Sequence, residues 1–518
     1  MKRLISFVLV GLLAACHEPI TEPPSPNFAA RGCEPGPSKD QGRGSNPCRL
    51  LALLAPVYSV LHNTQDNYYN VSEISTDEMM VPTRGQDWYD GGTWLDLHRQ
   101  TWTATSPATL TFLNGVWNDA FSGITRANEL LDALRNARGR DQAIIAAEAR
   151  TLRAFYYYQL TDMFGGVPIF TTPQFAPQPR NTRAELFRFI ETELLEARTA
   201  LPNNWVAADY ERMTKGAADA ILASMYLNAA VFTSDSPSAT TYNSCASVRV
   251  GVQTACHAAI AAADRILNSG RYSLAADWHS NFAPDNFASP ENILVVKNLN
   301  QPGLGLNFVM RALHYNQLTP TPWNGFAALA ETYRAFDADD QRREIFLEGP
   351  QVNLDSGEAA FDRYGNPLVF TVDIIDETNA GEGEGTRIMK WPPDPNRAGP
   401  DNGNDFAYFR LGDILLIKAE ALNELYPGSG EALALLNALR ARVFEPDKPL
   451  TTVDRDVILR ERLLELTAEA KRRQDLIRHG RYTQAWSFKQ AGGPHLILMP
   501  IPQSQLDANP MLVQNPGY

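Results

Sequence analysis

Two stretches of the sequence set aromatic rings among side chains that donate and accept hydrogen bonds. The first reads Gln86-Asp87-Trp88-Tyr89-Asp90-Gly91-Gly92-Thr93-Trp94 and continues through His98, Arg99 and Trp102; the second reads His314-Tyr315-Asn316-Gln317, then Thr321-Pro322-Trp323-Asn324-Gly325. A ring offers a flat apolar platform, and amides, carboxylates and guanidinium groups offer directional polar contacts. A sugar, with C–H faces and a girdle of hydroxyls, requires that combination. Trp88, Tyr89, Trp94, Trp102, Tyr315, Asn316, Trp323 and Asn324 are therefore the candidate ligand contacts. Tryptophan is largely buried on average, so Trp117, at helical spacing from Phe121, is expected in the core. Trp278 and Trp391 rank below the two stretches.

Catalysis and metal binding have less support. The chain has no His-Glu-x-x-His, no Gly-x-Ser-x-Gly and no phosphate-cradling loop, and Gly381-Glu382-Gly383-Glu384-Gly385 carries acids where an anion would sit. Asp337-Ala338-Asp339-Asp340 begins like a calcium loop but lacks its later glycine and glutamate. Asp401-Asn402-Gly403-Asn404-Asp405 reads as a turn in preference to a calcium site. No catalytic residue, metal ligand or cofactor is assigned. A pair of glycosidase carboxylates has no fixed spacing in sequence, which keeps a surface glycoside hydrolase as an alternative of another class. The net charge of −13 argues against nucleic acid, whose phosphates demand clustered Lys and Arg.

The address is written at the start. Lys2 and Arg3, an apolar run over residues 4–15 broken by Ser6, and Leu13-Ala14-Ala15-Cys16 follow the order of a secretory signal. The run falls short of the roughly 20 apolar residues that span a bilayer. Its small-residue site ending in Cys resembles the lipobox of bacterial lipoproteins, which implies removal of residues 1–15 and a diacylglycerol on the Cys16 thiol. Of the five cysteines, Cys33, Cys48, Cys245 and Cys256 then remain. Pairing Cys33 with Cys48 and Cys245 with Cys256 closes two short polar loops and is the preferred arrangement in an exported protein. Residues 16–47 are rich in Pro, Gly, Ser and Asn with no apolar period, the composition of a tether that lets a folded body reorient.

The body, 48–518, must position the rings. With 44% hydrophobic and 20% charged residues the chain is globular in composition. Apolar residues at three- and four-residue spacing predict helices over 112–134, 141–164, 214–232, 256–268, 406–425, 431–443 and 457–478. Another opens at Thr182, where Glu185 completes a capping box. In the 141–164 helix the Tyr156, Tyr157 and Tyr158 triplet must spread around the circumference, placing at least one ring inside and one at an edge; Gly165-Gly166 stops it. On the 457–478 helix, Glu461 with Glu465 and Glu469 with Arg473 share faces, only the second pair being attractive. The 406–425 and 431–443 segments, joined by Pro427-Gly428-Ser429-Gly430, have the length of a tetratricopeptide hairpin. The fold class is mostly α, a tetratricopeptide-like helix-hairpin scaffold over 48–280 and 401–518. Between 281 and 400 lies a loop-rich, minor-β subregion with short apolar runs such as Ile293-Leu294-Val295-Val296, and loops on a rigid frame are where binding usually sits.

Several separated stretches resemble the SusD/RagB family. Ala147-Glu148-Ala149-Arg150-Thr151-Leu152-Arg153-Ala154-Phe155-Tyr156-Tyr157-Tyr158, running into Phe164-Gly165-Gly166-Val167-Pro168, is similar to the family signature. So are Phe409-Arg410-Leu411-Gly412-Asp413-Ile414-Leu415-Leu416, Glu461-Arg462 through Arg478, and the ending Asn515-Pro516-Gly517-Tyr518. Ala468-Glu469-Ala470-Lys471 departs from the family's Phe-Glu-Gly-His or Phe-Glu-Gly-Arg, and Gln505 stands where Glu is usual. The resemblance implies a SusD-like fold and a non-enzymatic, lipid-anchored outer-membrane protein. Its ligand would be an oligosaccharide, passed to a SusC-like TonB-dependent transporter; a peptide or another nutrient on the same architecture is the alternative. It supplies no invariant binding residue.

Overall fold

The computed structural model describes residues 47–518 except 137, 138 and 175, with side chains from Leu51 onward. The α-helices of seven residues or more are α1 (Pro47–Thr64), α2 (Asn67–Ile74), α3 (Thr93–Arg99), α4 (Asn114–Leu134), α5 (Arg140–Phe164) and α6 (Arg183–Ala200). They continue with α7 (Lys215–Leu227), α8 (Ala255–Leu267), α9 (Leu411–Leu425), α10 (Gly430–Arg440), α11 (Arg455–Leu466) and α12 (Arg472–Arg478). Each packs largely on its neighbour: α1 on α4, then α4 on α5, α5 on α6, α6 on α7, α7 on α8, α8 on α9, and α9 on α10 and α11. The result is a stack of helix hairpins closed by the C-terminal segment. Residues 281–400 hold short two-stranded pairings and loops. The strand Asn292–Val296 pairs antiparallel with Phe406–Arg410 and ties that region to the scaffold.

Local signals account for many boundaries. The Thr182 side chain accepts from the Glu185 amide while the Glu185 carboxylate accepts from the Thr182 amide, completing the expected box. Helix α5 ends where Gly165 turns left-handed at φ +73°. A Cβ on Gly166 would stand 2.1 Å from the Asn181 carbonyl oxygen, so this turn admits no side chain. Cys245 and Cys256 are joined by a disulfide with Cα atoms 5.0 Å apart. Cys16 and the Cys33–Cys48 pairing lie outside the described residues.

Three expectations need correction. The segment 406–425 is not one helix, because Phe406–Arg410 is drawn into the strand pairing and the helix starts at Leu411. Residues 457–478 are two helices, α11 and α12, broken where Ala468 and Ala470 take left-handed φ of 65° and 59°. Glu469 therefore turns away from Arg473 to meet Arg410 and Lys390, while Arg473 pairs with Asp162. Glu461 and Glu465, like charges on one face, are reconciled by the Arg342 guanidinium between them. Finally, Tyr156, Tyr157 and Tyr158 are all buried, with no edge ring, because α4, α6 and α1 cover α5 on several sides. Their hydroxyls bond the Val57 carbonyl at 2.5 Å, the Phe170 carbonyl at 3.2 Å and the Gln474 amide oxygen at 2.8 Å.

Candidate ligand-binding surface

The fold brings the two aromatic stretches together. The Trp88 indole N–H donates to the Trp323 carbonyl oxygen at 2.6 Å, across 235 residues of sequence. The Tyr315 hydroxyl donates to Asp87 Oδ2 at 2.6 Å. The Trp88 ring stands edge-on to Trp94 at 5.4 Å and to Phe326 at 5.8 Å. Gly325 is needed here because a Cβ would meet the Trp88 ring at 2.4 Å. Left-handed backbone concentrates at the same place: Trp88, Asp90 and Asn324 have φ of 61°, 40° and 51°. Such conformations in side-chain-bearing residues cost about 1–3 kcal/mol each and persist only where surroundings enforce them.

The candidates divide by exposure. Tyr89 at 58% and Trp323 at 36% face solvent, Trp88 and Tyr315 are half-buried, and Asn316 is exposed. Trp94, Trp102 and Asn324 are not on the surface, contrary to their reading as contacts. Trp94 packs on Phe112 and Phe326 with its N–H on Asp90 Oδ2 at 2.7 Å. Trp102 donates to the hydroxyl of the C-terminal Tyr518 at 2.8 Å, deep in the core. Asn324 is fully buried; its side-chain oxygen accepts from Arg387 at 2.8 Å and its amide donates to the Glu382 carbonyl at 3.1 Å. Trp94 and Asn324 support the surface from beneath, whereas Trp102 packs toward the C-terminal segment.

Arg84 and Arg387 form the floor. Arg84 donates to the carbonyls of Asn324 at 2.9 Å and Glu384 at 2.8 Å, and also to that of Gly381. Arg387 donates to the carbonyls of Glu382 at 2.8 Å and Glu384 at 2.9 Å, and also to that of Gly385. The acidic glycine segment 381–385 is thus a strap wrapped around two guanidinium groups. Burial lowers Arg84 to about 10, and burial followed by the charge of Arg84 lowers Arg387 well below the ordinary arginine value. His314 is pushed down to about 4, first by burial and then by Arg387 and Arg84. Its Nδ1 accepts from the Asn316 amide at 3.2 Å, so the neutral ring carries its proton on Nε2 and donates to Glu382 Oε2 at 2.9 Å.

Sequence reasoning missed the loop 361–366. Phe361 and Tyr364 are 45% and 80% exposed beside Tyr315, and the Asn316 amide donates to the Phe361 carbonyl at 2.7 Å. Arg363 pairs with Glu382 and lies 6.0 Å from the Tyr315 ring centre. The signal was present, since Phe361-Asp362-Arg363-Tyr364-Gly365-Asn366 sets rings among turn formers as the two recognised stretches do. Among the described residues no group of His, Cys, Asp and Glu is arranged to hold a metal ion. Asp401 instead staples a turn, accepting from the amides of Gly303 at 3.0 Å and Gly305 at 3.1 Å, and Asp337 and Asp339 pair with Lys448.

Comparison with known proteins agrees with this architecture. The SusD family model matches residues 373–496, and a model described as starch-binding associating with outer membrane matches residues 49–227. The starch-binding protein SusD of Bacteroides thetaiotaomicron is 24% identical over 507 residues, covering 87% of this chain and 85% of that protein. SusD-like protein P2 of Formosa agariphila is 24% identical over 449 residues, covering 78% and 81%. Among solved structures, a laminarin binding SusD-like protein superposes with TM-score 0.72 at 25% identity, over 91% of this chain and 99% of that one. Surface glycan-binding protein A from Bacteroides thetaiotaomicron in complex with laminarihexaose gives TM-score 0.70 at 21% identity over 90% and 99%. Among the described residues no helix is long and apolar enough to cross a membrane. With both models matching, relatives aligned along most of its length and the same helical scaffold, the chain belongs to the SusD/RagB family.

Proposed function

We propose that this protein is a non-enzymatic outer-membrane surface lipoprotein that captures an oligosaccharide and delivers it to a SusC-like TonB-dependent transporter. The observation that carries the reading is the convergence of Trp88, Tyr315 and Trp323, from distant parts of the chain, on one exposed rim. Trp323 and Tyr89 supply platforms for sugar C–H faces, and Asp87, Asn316 and Arg363 supply partners for hydroxyls. The buried floor of Arg84 and Arg387 holds the loops rigid, which limits the ordering cost of binding. The lipid on Cys16 and the 16–47 tether would keep the body at the membrane and free to swing over a barrel. Capture has to be reversible, since a carrier that never releases cannot feed a transporter.

Calorimetric titration with laminarin, starch oligosaccharides and a tripeptide panel tests this directly. Saturable binding of a glycan, weakened about tenfold or more in Trp323→Ala without loss of thermal stability, is expected for a stacking platform worth about 1–2 kcal/mol. Binding of peptides alone would favour a peptide cargo, and glycan cleavage would show a hydrolase.

A further inference from the structure

We propose that a cavity beside α1 is a second binding site, taking a neutral ligand of sugar size that bears adjacent hydroxyls. The cavity measures about 400 Å³ and lies among the last turns of α1, the strand Asn292–Val296 and the loop 299–304. It shares no lining residue with the aromatic surface. Ligand cavities run from about 300 to 1,000 Å³, so this one accommodates a mono- or disaccharide unit.

The walls are built to stay open. The Tyr58 hydroxyl donates to Glu148 Oε2 at 2.6 Å and accepts from the Met213 amide at 2.7 Å, which fixes its ring. The loop 299–304 closes on itself through the Leu299 amide and Leu304 carbonyl at 2.8 Å, and Asp401 clamps its end through the Gly303 and Gly305 amides. Leu61, Val295 and Leu304 make the apolar faces.

The polar part of the lining defines the ligand. Lys297 and Glu211 both border the cavity and pair at 3.1 Å through Glu211 Oε1. Glu211 Oε2 has no hydrogen-bond partner although the side chain is only 8% exposed. An ammonium group has three N–H donors; among the described residues Lys297 donates a hydrogen bond to Glu211 and otherwise faces the Tyr210 ring at 4.9 Å. A buried carboxylate oxygen without a donor is costly. Asp66, which also borders the cavity, is paired with Arg311, so both lining carboxylates already have a cation and a charged ligand would add one uncompensated charge. A hydroxyl donates to the carboxylate and accepts from the ammonium without adding charge, and two adjacent hydroxyls serve both groups, while C–H faces suit the aliphatic walls.

The inference does not depend on the aromatic surface, and its test is run with that surface disabled. The full mature chain carrying Trp323→Ala is titrated with maltose and followed by saturation-transfer NMR. Saturable binding should persist, fall about tenfold or more when Leu304→Trp is added to fill the cavity, and fall about threefold or more with Glu211→Gln, which keeps its shape but weakens the acceptor. Should Leu304→Trp fail to fold, the Glu211→Gln comparison decides. Absence of residual maltose binding, or residual binding unchanged by both variants, overturns the proposal, as does saturation by choline or acetate in place of maltose.

Discussion

Buried arginines play opposite parts in two regions of this molecule. At the junction of α11, α12 and the strand Phe406–Arg410, every buried guanidinium meets carboxylates: Arg410 meets Glu291, Glu465 and Glu469, Arg342 meets Asp340, Glu461 and Glu465, and Arg442 meets Glu291 and Glu465. Burial works to lower Arg342 and Arg410, and their carboxylates overcome it and hold both above the ordinary value. Beneath the aromatic rim, Arg84 and Arg387 are equally buried but meet backbone carbonyls and an amide oxygen, and both are lowered. The first region has charge balance and holds helices together. The second gathers loops by their carbonyls around two guanidinium groups, beneath Asp87, Asn316 and Arg363 of the surface proposed for the ligand. Ion pairing builds the frame, and carbonyl clamping shapes the site.

Removing one member of the balanced network should have the largest effect. Glu465→Gln leaves Arg410, Arg342 and Arg442 short of one carboxylate in the interior, and denaturant unfolding should show a loss of about 3–5 kcal/mol. In the clamped region, Arg387→Met removes donors from the 382, 384 and 385 carbonyls and from Asn324. A smaller loss, about 2 kcal/mol, is expected, with faster amide hydrogen exchange confined to the strap 381–385 and the loop around Asn324. If exchange rises equally across α11 and α12, the two regions are not separable.

Acid should distinguish them further. His314 has its folded value depressed to about 4, below its ordinary value of 6.5. The unfolded chain therefore binds a proton more readily, so the stability His314 contributes is present above about pH 6.5 and is lost as pH falls toward 4. Burial works to raise Glu465, but Arg442, Arg410 and Arg342 overcome it and depress it, so its contribution survives to lower pH and fades only below the ordinary glutamate value of 4.5. Burial raises Glu73 and Asp405 to about 7, so these two stabilise the fold as pH falls through the same range. The His314 part is therefore read as a difference, the melting temperature of wild type losing ground to that of His314→Gln between pH 6.5 and 4.5. The smallest effect concerns the break between α11 and α12. Ala470 occupies a left-handed position at φ 59° where the family uses Gly. Ala470→Gly should raise stability by about 1 kcal/mol in thermal unfolding, the left-handed penalty of a Cβ.

Sequence alone determined what depends on near neighbours. The Thr182–Glu185 box, the stop at Gly165, the run Ile293-Leu294-Val295-Val296 and the signatures around Ala154 and Arg478 are local patterns, and a local pattern carries its own cause. They made the helical class, the loop-rich insertion and the family legible before any coordinates. Tertiary structure decided which rings face solvent, because exposure depends on what distant chain folds over a side chain. Trp94 and Trp88 lie six residues apart, one in the first turn of α3 and the other in the loop before it, yet Phe112 and Phe326 cover the first, and the Trp323 carbonyl draws the second to the rim. It also decided that Glu469 turns to Arg410 and Lys390, since those cations arrive from other elements and outweigh a helical neighbour. Spacing along the chain reports contacts within one turn of helix; the partners of a buried charge or an exposed ring are chosen across the whole fold.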